Sequence, residues 1–106
     1  MKYVKKKILI ENVSVKKLAK KFNTPIYCYS YKKLKENIIN LKKNFKSFSP
    51  LICFAIKANP NLFLIKEIKK FGLGADVVSI GELMLALKAG INPKKIVFSG
   101  IGKTSS

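Results

Sequence analysis

The stretch Leu51-Ile52-Cys53-Phe54-Ala55-Ile56-Lys57-Ala58-Asn59-Pro60-Asn61 predicts a buried strand that ends on a lysine. Every residue from 51 to 56 is apolar, as expected of a parallel strand covered on both faces. Because side chains alternate along a strand, Phe54 and Ile56 fall on one face, which suits packing under helices. Ala55 and Lys57 fall on the other face, where small residues leave space beside an amine. Pro60 then ends the strand, since proline lacks the N–H that a ladder needs.

Strand and helix patterns alternate along the chain. The predicted strands are 8–13, 26–29, 51–57, 75–78 and 96–98, and the predicted helices are 15–22, 31–45, 62–71 and 80–89. Ser14, Ser30 and Asn61 are predicted N-caps. The Ser30 cap lacks the acidic residue that usually stands three positions on, whereas Ser79 and Glu82 form a complete capping box. Such alternation predicts a parallel sheet connected by helical crossovers.

Several ordered motifs resemble one enzyme family. The lysine segment is followed by a glycine-rich stretch that ends in an acidic strand and a capping box. The matching segments are Thr24-Pro25-Ile26-Tyr27, Phe54-Ala55-Ile56-Lys57-Ala58-Asn59-Pro60-Asn61, Gly72-Leu73-Gly74-Ala75-Asp76-Val77-Val78-Ser79-Ile80-Gly81-Glu82-Leu83, Ala89-Gly90-Ile91, Ile96-Val97-Phe98-Ser99-Gly100 and Gly102-Lys103-Thr104. Together, from about Val13 onward, they resemble the fold-type III pyridoxal-phosphate decarboxylases (the ornithine/diaminopimelate/arginine type), nearest in wording to the diaminopimelate branch.

The resemblance implies an α/β fold. The expected architecture is a partial pyridoxal-phosphate-binding (β/α)8 TIM barrel of the alanine racemase-like type, comprising the first few βα units, plus a short N-terminal strand. The implied division is 1–23 for the N-terminal strand and short helix and 24–106 for the N-terminal part of the barrel domain. A whole barrel needs about 250 residues. We therefore expect the 106-residue chain to be an N-terminal fragment, inactive alone and poorly folded because its sheet edges are exposed.

The resemblance also implies the site residues. Lys57 would be the catalytic lysine that attaches the cofactor, pyridoxal 5′-phosphate, and Ala55 and Asp76 would lie beside that cofactor. An amine in a dry pocket loses its proton more easily and can then attack an aldehyde. Asp76 interrupts an apolar strand, so its carboxylate needs a partner, which is either an active-site amine or backbone N–H groups at the strand end. The family's phosphate-binding and ring-nitrogen-binding residues come later in its sequences and have no counterpart here.

The implied activity is decarboxylation of a basic or diamino amino acid, with meso-diaminopimelate, in lysine biosynthesis, as the first candidate substrate. Ornithine or arginine decarboxylases and alanine racemases remain alternatives within the same cofactor class. The family's full-length enzymes form homodimers. A different class, a small basic nucleic-acid-binding protein, is suggested by the net charge of +17 from 22 Lys+Arg and 5 Asp+Glu. All the basic residues are lysine and they are spread over every predicted helix, which favours a solvated surface and no nucleic-acid partner.

Cysteine, histidine and hydropathy patterns exclude other classes of protein. The chain has no histidine and no CxxC spacing, so we expect neither a metal site nor a catalytic triad. Cys28 and Cys53 both fall in predicted strands and are expected to be small buried side chains. The apolar run at Ile8–Ile10 is too short for a signal peptide, and no stretch reaches transmembrane length. A cytoplasmic protein that does not associate with membranes is expected.

Overall fold

The structure is a computed structural model that describes residues 1–4 and 7–104. The chain divides into two compact units, residues 1–44 and 45–106. The predicted domain boundary between residues 23 and 24 stays a prediction. The two compact units describe how this chain packs, and they do not show which domain of a longer protein each residue would join. Among the described residues, no helix is both long and apolar enough to cross a membrane.

The N-terminal unit contains a three-stranded antiparallel sheet and two helices. The strands are β1 (Lys2–Val4), β2 (Lys7–Ile10) and β3 (Val13–Ser14), in the order β1-β2-β3. Helices α1 (Val15–Phe22) and α2 (Tyr31–Asn44) follow. The prediction of one strand over 8–13 is wrong, because a two-residue turn at Glu11 and Asn12 splits it. Their φ values of 50° and 71° match the type I′ turn that joins twisted antiparallel strands.

The predicted strand at 26–29 is absent from the described structure. A segment becomes a strand when a neighbour supplies ladder partners, and neither of the two described three-stranded sheets includes residues 26–29. Tyr27 is 91% exposed. The prediction that Cys28 is buried is also wrong, since this cysteine is a free, exposed thiol.

Helix α2 begins at a cap that includes an acidic residue from the hairpin. Ser30 Oγ accepts a hydrogen bond from the Lys33 N–H (3.0 Å), as predicted. The Ser30 hydroxyl in turn donates to Glu11 Oε1, which also accepts from the Lys32 N–H at 2.7 Å. These bonds to Ser30 and Lys32, with the nearby Lys32 charge, lower the pKa of Glu11 from its ordinary value of 4.5. The acidic partner that the local sequence lacks thus comes from the β2–β3 turn. Ser14 lies at the N-cap of α1, but its side chain makes no cap hydrogen bond.

The C-terminal unit confirms the predicted βα alternation. Its strands are β4 (Cys53–Ala55), β5 (Gly74–Val77) and β6 (Ile96–Phe98), and they form a parallel sheet in the order β4-β5-β6. Helix α3 (Leu62–Lys70) connects β4 to β5, and α4 (Ile80–Lys88) connects β5 to β6. Short 3₁₀ turns occupy Lys46–Phe48, Ile56–Ala58 and Pro93–Lys95.

One face of this parallel sheet packs into an apolar core. Ile56, Ile65, Ala75, Val77 and Ala86 are fully buried. The half-buried residues packed against this core are Phe54, Leu62, Leu83, Leu85, Ile96 and Phe98. The predicted bulky face, which contains Phe54 and Ile56, is therefore the face that meets the helices. Burial of apolar side chains at about 25 cal/mol per Å² is the main force that stabilises such a unit.

The ends of α3 and α4 follow the sequence signals. Asn61 Oδ1 accepts from the N–H groups of Phe63 and Leu64, at 2.9 and 3.2 Å. Gly72 and Gly90, which follow the two helices, have φ values of 78° and 81°. These left-handed conformations suit glycine, which has no Cβ to clash with the backbone. The loops that return the chain to β5 and β6 are therefore set by local sequence.

Candidate active site

Lys57 lies in the 3₁₀ turn that directly follows β4. The prediction of a strand running through Lys57 is wrong, because the ladder ends at Ala55. Ile56 enters the core, its carbonyl accepts a hydrogen bond from the Asn59 N–H at 3.0 Å, and the backbone turns. Lys57 itself is exposed. The described residues thus place this amine at the carboxyl end of the sheet without the dry pocket that the sequence suggested.

The second face of the parallel sheet, here termed the open face, contains Cys53, Ala55, Asp76 and Val97. Ala55 pairs with Asp76 across β4 and β5, and Asp76 pairs with Val97 across β5 and β6. The three residues therefore form one row, and the alternating neighbours of each belong to the core face. Val97 is 48% exposed, whereas its neighbours Ile96 and Phe98 pack against the core. Two predicted site residues, Ala55 and Asp76, are thus direct neighbours.

Asp76 has a hydrogen-bond partner that the sequence did not suggest. The Ser99 hydroxyl donates to Asp76 Oδ1 at 2.6 Å. Ser99 comes two residues after Val97, the register partner of Asp76. The signal that could have found it is this register, because side chains two residues apart on neighbouring parallel strands share a face. The sequence predicted either an active-site amine or backbone N–H groups as the partner of Asp76. Among the described contacts, Asp76 forms no ion pair with Lys57 and accepts no hydrogen bond from a backbone N–H group.

The negative charge of Asp76 affects the Cys53 thiol on the open face. The pKa of the Cys53 thiol is raised, chiefly because burial disfavours the thiolate and secondarily because the negative Asp76 carboxylate repels it. Cys53 is half-buried, in agreement with the prediction of a small interior side chain. Its Sγ lies 3.9 Å from the carbonyl oxygen of Lys95. A raised pKa keeps this thiol protonated and weakly nucleophilic at neutral pH.

Glu82 is accounted for by the capping box. Ser79 Oγ accepts from the Glu82 N–H at 3.2 Å, as predicted. Glu82 Oε2 accepts from the Val78 N–H at 2.9 Å, one residue farther back than the usual N-cap position. Both groups therefore stabilise the start of α4, close to the end of β5. We assign Glu82 no chemical role.

Surface concavities also occur away from the predicted site residues. Two such concavities lie in the N-terminal unit. One is lined by Lys7, Ile8, Ser14, Val15, Lys16, Lys17, Ala19 and Lys20, and the other by Met1, Leu9, Glu11, Asn12, Ser30, Lys32, Lys33 and Glu36. Among the described residues, no group of three or more cysteine, aspartate or glutamate side chains is placed to bind a metal.

The groups at the carboxyl edge of the sheet fit one side of a pyridoxal-phosphate site. Lys57 provides a primary amine that can react with an aldehyde. Ala55 has a small side chain in the same row as Asp76, which provides a carboxylate on the open face. Beside these groups, the described residues include no glycine-rich loop that could bind the cofactor phosphate. Lys57, Ala55 and Asp76 therefore fit only the part of such a site that binds the cofactor aldehyde.

The chain is similar to known decarboxylases over nearly all of its length. Residues 31–106 match the family described as "Pyridoxal-dependent decarboxylase, pyridoxal binding domain". The chain is 48% identical over 104 residues to the diaminopimelate decarboxylase of Aquifex aeolicus, covering 98% of this chain and 24% of that protein. It is 51% identical over 84 residues to the diaminopimelate decarboxylase of Helicobacter pylori strain J99, covering 79% of this chain and 21% of that protein.

A solved structure shares the fold. The crystal structure of diaminopimelate decarboxylase from M. jannaschii in co-complex with L-lysine superposes with a TM-score of 0.88 at 38% identity. The match covers 92% of this chain and 24% of that one. The chain thus spans about a quarter of the length of the relatives that it matches. Identity at this level, with the family match over more than half of the residues, establishes that the chain belongs to the pyridoxal-dependent decarboxylase family, within its pyridoxal-binding domain.

Proposed function

We propose that this chain forms the lysine-bearing part of a pyridoxal-phosphate-dependent decarboxylase that acts on meso-diaminopimelate. The observation on which this depends is that Lys57 follows directly from β4, in whose last position Ala55 pairs with Asp76. The family and the names of the similar enzymes support the cofactor and the substrate. The lysine in the similar M. jannaschii structure is the molecule left when diaminopimelate loses one carboxylate.

The roles of the site residues follow from their chemistry. Pyridoxal phosphate, when bound, supplies an electron sink for bonds broken at an amino-acid α-carbon. Lys57 supplies the nucleophilic nitrogen that binds the cofactor aldehyde. Asp76 supplies a fixed negative charge that can accept a hydrogen bond from a protonated nitrogen, and Ala55 leaves room beside it. Burial of Ile56 in the core fixes the backbone immediately before Lys57, so the amine starts from a defined position.

Reductive labelling tests the proposed role of Lys57. The chain is incubated with pyridoxal phosphate, reduced with borohydride, digested, and mapped by mass spectrometry. We expect the label on Lys57 to exceed the equal share that would result if the 22 lysines reacted alike. Lys57→Arg should remove this excess, whereas the matched change Lys66→Arg, at an exposed position on α3, should leave it unchanged. Equal labelling of all the lysines would contradict the proposal.

A chimeric enzyme tests whether this chain supports the reaction on meso-diaminopimelate. The chain replaces the matching segment of the Aquifex aeolicus relative, to which it aligns over 104 residues. We expect the chimera to decarboxylate meso-diaminopimelate in preference to ornithine or arginine, and Lys57→Ala to abolish the activity. A folded chimera that is inactive, or that stays active without Lys57, would contradict the proposal.

The proposal also covers the cellular location and the assembly of the enzyme. We propose that it works in the cytoplasm on a free amino acid, and that it assembles as a homodimer, as the family resemblance implies. Sedimentation of the chimera would test the assembly, and a monomeric active species would overturn it. A nucleic-acid partner is not proposed, because the chain has no arginine and lysines occur on all four helices, α1 to α4.

A further inference from the structure

Ser99 is held in place by the backbone on both sides of it. Its N–H donates to the Val77 carbonyl at 3.0 Å, which continues the β5–β6 ladder by one bond. The next residue, Gly100, passes so close to β5 that a Cβ there would lie 2.6 Å from the Val78 carbonyl oxygen. Any side chain at position 100 would therefore displace the backbone. The position of the Ser99 hydroxyl is thus set by strand packing, in contrast to a hydroxyl on a free loop.

This hydroxyl determines which oxygen of Asp76 is available. Ser99 donates to Oδ1 at 2.6 Å, a short bond typical of a hydroxyl and a carboxylate. Within residues 7–104, the structure gives Asp76 no ion pair with a lysine. Oδ2 is therefore the oxygen that can meet a nitrogen from a ligand on the open face. A carboxylate held through one oxygen keeps its second oxygen in one orientation, which is a requirement for a preorganised site.

We propose that Ser99 is a positioning residue, which fixes the Asp76 carboxylate on the open face so that Oδ2 faces the pyridoxal-bound amino acid. The inference rests on the proposed function, since it requires Asp76 to meet that ligand. Ser99 acts through Asp76 and does not itself contact the reacting atoms. The bond between exposed Ser99 and half-buried Asp76 is accessible to solvent, so we expect it to affect the orientation of the carboxylate more than global stability.

The first experiment measures the orientation of Asp76 in the isotope-labelled chain by NMR. Side-chain couplings report whether χ1 of Asp76 occupies one rotamer. Ser99→Thr keeps the hydroxyl, whereas Ser99→Val has nearly the same shape and lacks it. We expect one rotamer in the wild type and in Ser99→Thr, and averaging in Ser99→Val. Averaging in the wild type, or one rotamer in Ser99→Val, would overturn the inference, and neither result depends on cofactor binding.

The second experiment measures pyridoxal-phosphate labelling of Lys57 in the same variants. The net contribution of a typical intramolecular hydrogen bond corresponds to a factor of about 2 to 10. Because the Ser99–Asp76 bond is exposed, Ser99→Val should lower the excess label on Lys57 by about that factor, and Ser99→Thr should restore it. If Ser99 acts through Asp76, then Ser99→Val should have no further effect in an Asp76→Asn background. An equal loss in that background would overturn the inference. A rigid Asp76 without any excess label on Lys57 would overturn the proposed function and leave the positioning of Asp76 supported.

Discussion

At the scale of single residues, each of the five acidic side chains has a specific partner. The pairs are Glu11 with Ser30 and Lys32, Glu36 with Lys33, Glu67 with Lys70, Asp76 with Ser99, and Glu82 with Val78. In a chain with 22 Lys+Arg and 5 Asp+Glu, an ion pair is available to a carboxylate almost anywhere. Three of the acids instead bind backbone N–H or hydroxyl groups at the ends of helices and strands. These acids therefore fix local geometry more than they neutralise charge.

Glu11 should make stability depend on pH in the acid range. Its pKa in the folded chain is lowered from 4.5 by the bonds from Ser30 and Lys32, so its contribution is present above 4.5 and is lost as pH falls through the lowered folded value. We expect the wild type to lose more stability than Glu11→Gln between about pH 6 and pH 3, measured by urea unfolding.

The matched control is Glu36→Gln. Glu36 lies 3.9 Å from Lys33 in an exposed pair on α2, and such pairs contribute about 0–1 kcal/mol. This replacement should therefore leave the acid-range slope close to that of the wild type. Parallel stability curves for the wild type and Glu11→Gln would contradict the role assigned to the hairpin cap.

At the scale of elements, the parallel sheet depends on one close approach of backbones. The Gly74 N–H donates to the Ile52 carbonyl at 2.9 Å. A Cβ on Gly74 would lie 2.1 Å from the Lys95 carbonyl oxygen and 3.0 Å from Cys53 Sγ. Glycine at position 74 thus lets β5 lie between β4 and the turn that leads into β6. The order β4-β5-β6, and with it the row from Ala55 to Asp76, depends on this residue.

Gly74→Ala should therefore destabilise the chain strongly. The overlap is with a backbone oxygen that cannot rotate away, and overpacking of this kind costs about 1–3 kcal/mol. Thermal unfolding followed by circular dichroism measures the loss. The control is Gly102→Ala, where no described atom lies within 4 Å of the added Cβ and the expected change is within about 0.5 kcal/mol. Equal melting temperatures for the two variants would show that a methyl group fits beside residue 74 of β5, and would contradict this close approach of the backbones.

Local sequence predicted the C-terminal unit better than the N-terminal unit. The caps at Asn61 and Ser79 and the strand Ile96–Phe98 depend on residues close in sequence, and all three were predicted. The strand at 26–29 and the burial of Cys28 depend on distant partners, which a local pattern cannot supply. The split of strand 8–13 was missed because Glu11 carries φ above zero without the usual glycine.

Local sequence likewise limits how much of the candidate site can be predicted. The resemblance of the lysine segment suggested Lys57 and Ala55, and that of the segment 72–83 suggested Asp76. The strand register then paired Ala55 with Asp76. Ser99 was missed because its bond to Asp76 spans 23 residues and depends on the alignment of β5 with β6. The dry surroundings expected for Lys57 also require residues beyond local sequence, and the turn at Ile56–Ala58 leaves the amine exposed.

At the scale of the whole molecule, the dominant feature is charge. The formal net charge is +17 at pH 7, and the hydrophobic residues nonetheless make up 48% of the chain. A large net charge of one sign keeps a protein soluble but destabilises its compact state through self-repulsion. The apolar core of the C-terminal unit must therefore outweigh repulsion among exposed lysines on the helices that cover it.

Added salt should therefore stabilise the chain. The Debye length falls from about 30 Å at 0.01 M to about 8 Å at 0.15 M ionic strength, which screens exposed lysines from one another. We expect an increase of about 4–8 °C in melting temperature, which corresponds to roughly 1 kcal/mol for a chain of this size. Replacing Lys16, Lys17 and Lys20 of α1 with glutamine should shrink the increase. A melting temperature that falls with salt would mean that attractive pairs outweigh repulsion.

Strand β5 has a ladder partner on each side, since Ala75 pairs with Phe54 and with Ile96. Ala75 and Val77 are both completely inaccessible to solvent. When the chain is placed in heavy water, the amides of β5 should therefore retain their protium longest among the described strands. Asp76 would then lie on the backbone that opens least often, which suits the proposed role of a carboxylate held in one orientation.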